Sequence, residues 1–255
     1  MSESNEQQTI LTCDVGNSRI ALAAMVGEKP LETRRLSTQE FHLLPEMLRQ
    51  LWSEHACEAV AASSVSPRNL ALLDEAAGHL GQKVMLVGRE LPLPIDSDLP
   101  DLARVGTDRL CSAAMAYFSF EKACAVASFG TAITIDCVGD DGAFLGGAIL
   151  PGLKMSAQAL HEGTAALPKV ELHRPDWVFG RNTIDAIIGG IVYGARGALR
   201  ELTEAYATKL GQWPPLLVTG GDAELVCKDY DIVHAIVPDL CLMGVGLAYQ
   251  MFLRQ

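Results

Sequence analysis

Cys13-Asp14-Val15-Gly16-Asn17-Ser18-Arg19-Ile20 and Ala127-Ser128-Phe129-Gly130-Thr131-Ala132-Ile133-Thr134 read as two versions of one motif. Each follows an apolar run and bends at a single glycine flanked by a hydroxyl or an amide. Each then returns to apolar residues. Asp14 and Ser128 lie 114 residues apart, close to half of a 255-residue chain. A repeated strand-turn-strand predicts two similar lobes, each offering a turn to one ligand. Glycine lets backbone N–H groups approach an anion, and small polar side chains add donors, so a nucleotide phosphate chain fits such turns. Taken alone, the first turn is also ordinary hairpin chemistry, because Asp and Asn tolerate left-handed backbone. Thr219-Gly220-Gly221 adds a third glycine bend after a late apolar run, where nucleotides often lie, although Asp222 there is equally an ordinary helix N-cap.

Composition narrows the function. Hydrophobic residues make up 49% of the chain, enough for full-sized cores beyond a polar stretch of seven residues at the start. Twenty Lys and Arg against 31 Asp and Glu give a net charge of −11. No basic run carries interleaved aromatics, so non-specific nucleic-acid binding is disfavoured and any anion site must be local. The seven cysteines form no C-x-x-C pair, and Cys13, Cys111 and Cys137 sit in apolar runs, which predicts reduced core thiols in a cytosolic protein. No apolar run reaches membrane-spanning length, and Met1 to Gln8 is unlike a signal peptide.

Outward from the two turns, apolar and polar residues alternate as strands at 8–13, 19–26, 59–65, 83–87, 123–128, 131–138, 143–149 and 215–219. Residues 39–56 read as an amphipathic helix despite Pro45, and 110–118 as a helix of small apolar residues. Leu91 to Ala103 carries three Pro and reads as an irregular loop crossing between lobes. The clearest helix is 182–210, where Ile184, Ile188, Ile191, Ala195, Leu199, Leu202 and Tyr206 recur at three and four. Gly189, Gly190, Gly194 and Gly197 interrupt it. Glycines cost helix stability, so their density predicts close packing against another helix or a partner. A last helix runs from about Asp239 to Leu253. The alternation indicates α/β lobes with mixed sheets.

Asp108 stands between Thr107 and Arg109 at a helix start. A carboxylate in a first turn answers the helix dipole. Beside Arg109 it is also suited to accept a hydroxyl proton while the guanidinium holds an anionic substrate. Asp14 is placed to orient Mg²⁺-bound water, and Asp136 reads as structural.

These segments together resemble the type III pantothenate kinases of the acetate and sugar kinase/Hsc70/actin superfamily. The resemblance rests on Asp14-Val15-Gly16-Asn17-Ser18, Gly106-Thr107-Asp108-Arg109, Phe129-Gly130-Thr131-Ala132-Ile133-Thr134, Gly146-Gly147-Ala148-Ile149-Leu150-Pro151-Gly152, Gly180-Arg181-Asn182-Thr183 and Gly190-Ile191-Val192-Tyr193-Gly194, in order from Asp14 to about Gly246. It implies two ribonuclease-H-like lobes, residues 8–121 and 122–255, with mixed sheets, a nucleotide cleft between them and the dimer helix in the second. It implies ATP-dependent phosphorylation of pantothenate, the first step toward coenzyme A, in a cytoplasmic homodimer without nucleic-acid or membrane partners. Asp14, Val15, Gly16, Asn17, Ser18, Arg19, Ile20, Ala21 and Thr131 would contact ATP. Asp108 would be the proton acceptor. Gly106, Thr107, Asp108 and Arg109 would line the pantothenate site, joined by Thr183 of the neighbouring subunit. Mg²⁺ would accompany ATP, and the family also uses K⁺ or NH₄⁺. Two departures stand out. Ser128 occupies the position of the family's cation-ligating Asp, and the loop 96–104 lacks the family's Tyr. Other readings of the same residues are a non-catalytic accessory-factor homologue and a kinase of another small alcohol.

Overall fold

A computed structural model describes residues 8–255. The first elements are β1 (Thr9–Val15), β2 (Arg19–Val26), β3 (Lys29–Ser37), α1 (Leu44–Glu54), β4 (Val60–Ser64), α2 (Pro67–Gly78), β5 (Val84–Leu86) and α3 (Thr107–Phe120). Then follow β6 (Cys124–Phe129), β7 (Ala132–Val138), β8 (Phe144–Pro151), α4 (Leu153–Glu162), α5 (Thr183–Leu210), β9 (Leu216–Thr219), α6 (Ala223–Cys227), β10 (Ala235–Ile236) and α7 (Leu240–Leu253).

The two turns head two sheets of the same design. In the first, the strand order is β3-β2-β1-β4-β5; in the second it is β10-β9-β6-β7-β8. β1 pairs antiparallel with β2 and parallel with β4. β6 likewise pairs antiparallel with β7 and parallel with β9. Read from the outer antiparallel strand inward, β3-β2-β1-β4-β5 matches β8-β7-β6-β9-β10. The repeat seen in the sequence is therefore a repeat of sheet topology, and the chain is mixed α/β as expected.

The chain divides into two compact units. Phe120–Pro238 forms one, and the residues up to Ser119 form the other together with Asp239–Gln255. This corrects the expected span of 122–255 for the second lobe, because α7 returns to the first unit. Its residues Leu240, Leu242, Gly244, Val245, Gly246, Ala248 and Tyr249 are buried. A helix apolar on almost every side needs cover, and this one takes it from β1, β2 and β4. Gly244 lies against the backbone of Cys111 on α3 so closely that any side chain would collide with it, and a Cβ at Gly246 would sit 2.6 Å from Gly27 O. The Leu91–Ala103 loop also differs from expectation. It stays within the first unit, where Leu91 and Ile95 are buried.

Strand alternation sorts the first unit's core. Leu11, Cys13 and Val15 of β1 and Ile20, Leu22 and Ala24 of β2 pack with Leu44, Leu48, Leu51 and Leu73 of α1 and α2. Ile10, Ala21, Ala23 and Met25 face the other way, toward Cys111 of α3 and Leu242, Val245, Ala248 and Tyr249 of α7. By the same alternation Asp14 shares the face of Ile10 and looks toward α3 and α7. In the second unit, Phe129, Ile133 and Ile135 pack with Leu153, Leu199, Leu216 and Val218. All seven cysteines are free thiols, six of them buried. No helix among the described residues is long and apolar enough to cross a membrane.

Candidate active site

The first turn is built without left-handed backbone, since Gly16, Asn17 and Ser18 are absent from the positive-φ residues. The hairpin closes by the Gly16 N–H donating to Arg19 O at 3.0 Å. A Cβ at Gly16 would sit 3.2 Å from that same oxygen, so close approach rather than φ accounts for glycine here. Asn17, Ser18 and Arg19 are exposed, whereas the side chains of Val15, Ile20 and Ala21 are buried in the two core layers. Of the expected nucleotide contacts, those three positions therefore have only backbone to offer.

The Gly106–Arg109 segment starts α3. The Thr107 hydroxyl is committed to the end of β4. It lies 2.8 Å from Ser63 Oγ and accepts the Ser64 N–H at 3.2 Å. Thr107 thus anchors the helix start. Asp108 Oδ1 accepts the Arg109 N–H at 2.9 Å, and the Ser112 hydroxyl donates to Asp108 O at 2.8 Å. A Cβ at Gly106 would run into Asp108 Oδ1 and lie 3.2 Å from Val65 Cγ1. Glycine at 106 thereby leaves the room in which the Asp108 carboxylate sits.

Asp14 and Asp108 are electrostatic neighbours. Burial pushes the Asp14 carboxyl up to about 7; the Asp108 charge adds to that, while the Cys241 thiol, Arg19 and Arg35 oppose it. Burial also raises the Asp108 carboxyl, opposed by the N–H and charge of Arg109. Two desolvated carboxylates repel each other, and a divalent cation with hard oxygen preference relieves that repulsion. The donor chemistry at Asp14 fits Mg²⁺.

In the second unit, three glycine bends converge. Asp222 N–H donates to Phe129 O at 3.0 Å, and Gly152 N–H to Thr131 O at 3.2 Å. A Cβ at Gly152 would strike the backbone of Gly130 and Thr131, and one at Gly220 that of Phe129. Thr131 is exposed at this junction. Ser128 pairs with Thr134 on one side and Thr219 on the other, which sets three neutral hydroxyl residues in a row across the sheet. The Thr219 hydroxyl donates to Pro238 O at 3.4 Å. With no carboxylate among these three, this row does not fit a charge-compensated K⁺ site. Asp136, 2% exposed, is a core residue, as expected.

Thr183 is the first residue of α5 and is exposed. Asn182 caps the helix by accepting the Asp185 N–H at 2.9 Å. The buried residues are Ile187, Ile188, Val192, Ala195, Leu199 and Thr203, and Ile191, Leu202 and Tyr206 pack against the same core, so of the expected stripe only Ile184, 47% exposed, lies off it. A Cβ added at Gly190, Gly194 or Gly197 would meet nothing within 4 Å among the described residues, so the chain itself leaves this face uncovered. Trp177, Val178 and Phe179, just upstream, are 60%, 72% and 83% exposed.

One residue escapes a reading of the sequence. Asn69, 5% exposed in the first turn of α2, donates from Nδ2 to Gly16 O at 2.7 Å and to Asn17 O at 3.2 Å. Its signal is Ser66-Pro67 followed by an amide two residues on, a helix start that reads only as the end of a polar loop.

These features have relatives among known proteins. A family model described as type III pantothenate kinase matches residues 10–205. A type III pantothenate kinase of Dehalococcoides mccartyi is 32% identical over 253 residues, covering 96% of this chain and 98% of that protein. One from Myxococcus xanthus is 33% identical over 251 residues, covering 94% and 97%. Among solved structures, a putative Baf family transcriptional activator from Campylobacter jejuni superposes with a TM-score of 0.64 at 20% identity, covering 96% of this chain and all of that one, which speaks to the fold alone.

Proposed function

The chain belongs to the type III pantothenate kinase family and phosphorylates pantothenate on the path to coenzyme A; from that premise we propose which of its residues carry the reaction. The observation that carries the assignment is the Asp14–Asp108 pair beside the Gly16–Ser18 turn, all within the first unit. The exposed turn takes ATP phosphate through backbone N–H groups, as glycine bends do. Thr131, exposed at the matching bend of the second unit, offers a phosphate the same chemistry, a hydroxyl beside a glycine. Asp14 would hold Mg²⁺, which supplies neutralisation of phosphate charge. Gly106 to Arg109 line the acceptor site, with the Arg109 guanidinium assigned to the pantothenate carboxylate.

Asp108 acts as general base. The pantothenate primary hydroxyl oxygen attacks the γ-phosphorus, the bond from that phosphorus to the bridging oxygen breaks, ADP departs, and the hydroxyl proton passes to an Asp108 carboxylate oxygen. A carboxyl raised by burial is a better proton acceptor than an exposed one. No step runs through a monovalent cation, because the Ser128 row lacks the charge to hold one tightly.

The functional unit in this reading is a homodimer formed on α5. The uncovered faces of Gly190, Gly194 and Gly197, with Ile184 and Tyr193 exposed beside them, support close approach of a second copy. Thr183 would then reach the partner's pantothenate. Seven free thiols support a cytoplasmic setting. The test is a purified-protein assay of ADP release with pantothenate against a panel of other small primary alcohols. Release stimulated by pantothenate alone supports the assignment, and stimulation by another alcohol alone overturns it.

A further inference from the structure

The carbonyl oxygens of Val15, Gly16 and Asn17 are all claimed by residues between the end of β4 and the first turn of α2. Val15 O accepts the Val65 N–H at 3.2 Å. Gly16 O and Asn17 O both accept from the Asn69 side-chain amide, at 2.7 and 3.2 Å. An amide facing two carbonyls must present its nitrogen, since its oxygen there would set three acceptors against one another. Asn69 is buried, which shields these bonds from competing solvent on its side.

The consequence follows from peptide geometry. Every peptide bond among the described residues is trans, so each C=O points opposite to the N–H of the following residue. Holding Gly16 O toward α2 turns the Asn17 N–H away from it. Holding Asn17 O the same way turns the Ser18 N–H away. The two successive N–H groups of the exposed turn are thereby both turned away from Asn69, and successive N–H groups on one side of a turn are the elements of a backbone nest. One donor, the Asn69 amide, thus sets both the 16–17 and the 17–18 peptide planes. The 15–16 plane is held separately through Val65 and Arg19.

We propose that Asn69 is a positioning residue for the phosphate turn: by holding Gly16 O and Asn17 O it orients the Asn17 and Ser18 N–H groups toward the phosphates of ATP. This rests on the reading of that turn as the phosphate site. Asn69 touches no substrate, so its effect belongs on the affinity for phosphate-bearing ligands and not on that for the rest of the nucleotide or for pantothenate.

The experiment compares wild type, Asn69→Asp, Asn69→Ala and Asn69→Gln by calorimetric titration with a non-hydrolysable ATP analogue and with adenosine. It adds KM values for ATP and pantothenate and thermal melting of each variant. Asn69→Asp keeps the shape but turns an acceptor onto two carbonyls. Asn69→Ala removes the donor without adding charge. Both are expected to weaken the ATP analogue about tenfold or more, the loss of bonds to a charged group. Adenosine affinity and the pantothenate KM should stay within about twofold. Asn69→Gln, which keeps the amide, should recover part of the ATP affinity. Equal weakening of adenosine and the ATP analogue, or unchanged ATP affinity in a folded variant, would overturn the proposal. So would failure of both Asp and Ala variants to fold, which would assign Asn69 to the fold instead. Binding is read without turnover. A wild type that binds the analogue but does not phosphorylate pantothenate would sink the kinase reading and leave the Asn69 comparison standing. A wild type that binds no nucleotide would sink both.

Discussion

Asp14 carries the clearest pH signature. Its folded carboxyl holds the proton up to about 7, whereas an unfolded Asp releases it near about 3.9. Between these values the native state binds more protons than the unfolded one, so stability falls as pH rises through that window. In EDTA and without nucleotide, melting of the wild type should therefore drop between pH 5 and 8. Asp14→Asn should melt higher than wild type at pH 8 and lose most of that slope. A wild type whose melting temperature climbs from pH 5 to 8, in parallel with the Asn variant, would contradict the placement of this carboxyl. Asp14 and Asp108 are both legible in the sequence, because an acid beside a glycine turn and an acid at a helix start stand out locally. Their electrostatic coupling is not, since it depends on strand alternation turning Asp14 toward α3. Asn69 is illegible for a related reason. A single buried amide has no sequence signature until its acceptors, more than 50 residues away, are known.

The segments around the turns add two expectations. Gly106 leaves space for the Asp108 carboxylate, so Gly106→Ala must displace one of the two. A misplaced reacting group costs about 10²-fold in rate, and kcat should fall by that order while the fold, read by melting, is largely kept. Near-normal kcat would show that Asp108 has another place to sit. At the β6–β7 bend, the row Ser128, Thr134 and Thr219 offers dipoles but no charge. Initial rates against KCl, balanced with choline chloride, should rise little, and Ser128→Asp should introduce a steeper K⁺ dependence. Tight K⁺ saturation in wild type that Ser128→Asp leaves unchanged would contradict this. Among the elements, β1, β2, β6, β7, α5 and α7 are readable from periodicity to within a few residues. β3, α2 and α4 are not. β3 is an edge strand rich in charge, Lys29-Pro30-Leu31-Glu32-Thr33-Arg34-Arg35-Leu36-Ser37, with one fully buried side chain, so alternation is masked. α2 begins with Pro67 and buries an amide, Asn69, along with Leu73, Ala76 and Ala77, which reads as loop before it reads as helix.

For the whole chain, the internal repeat decides the fold, and two pieces are misplaced: the Leu91–Ala103 loop, which stays in the first unit, and α7, whose uniform apolarity says that it is buried but not in which unit. The uncovered glycine face of α5 bears on assembly. Light scattering at micromolar concentration should show a dimer, and Gly194→Glu, which puts a charge on that face, should yield a monomer with a raised pantothenate KM. Thr183→Ala should raise the KM for pantothenate more than that for ATP while leaving the dimer intact. A wild-type monomer with full activity would contradict assembly on α5. At the centre of the proposed reaction stands one base, Asp108. Its most direct test is the turnover number for conversion of pantothenate to phosphopantothenate with saturating MgATP, in wild type and in Asp108→Asn. The amide keeps the shape and the bond from the Arg109 N–H but cannot take the proton. Wild-type turnover with pantothenate and a loss of about 10²–10⁴-fold in kcat for Asp108→Asn, with melting preserved, is the predicted result. Near wild-type kcat in the Asn variant would contradict it.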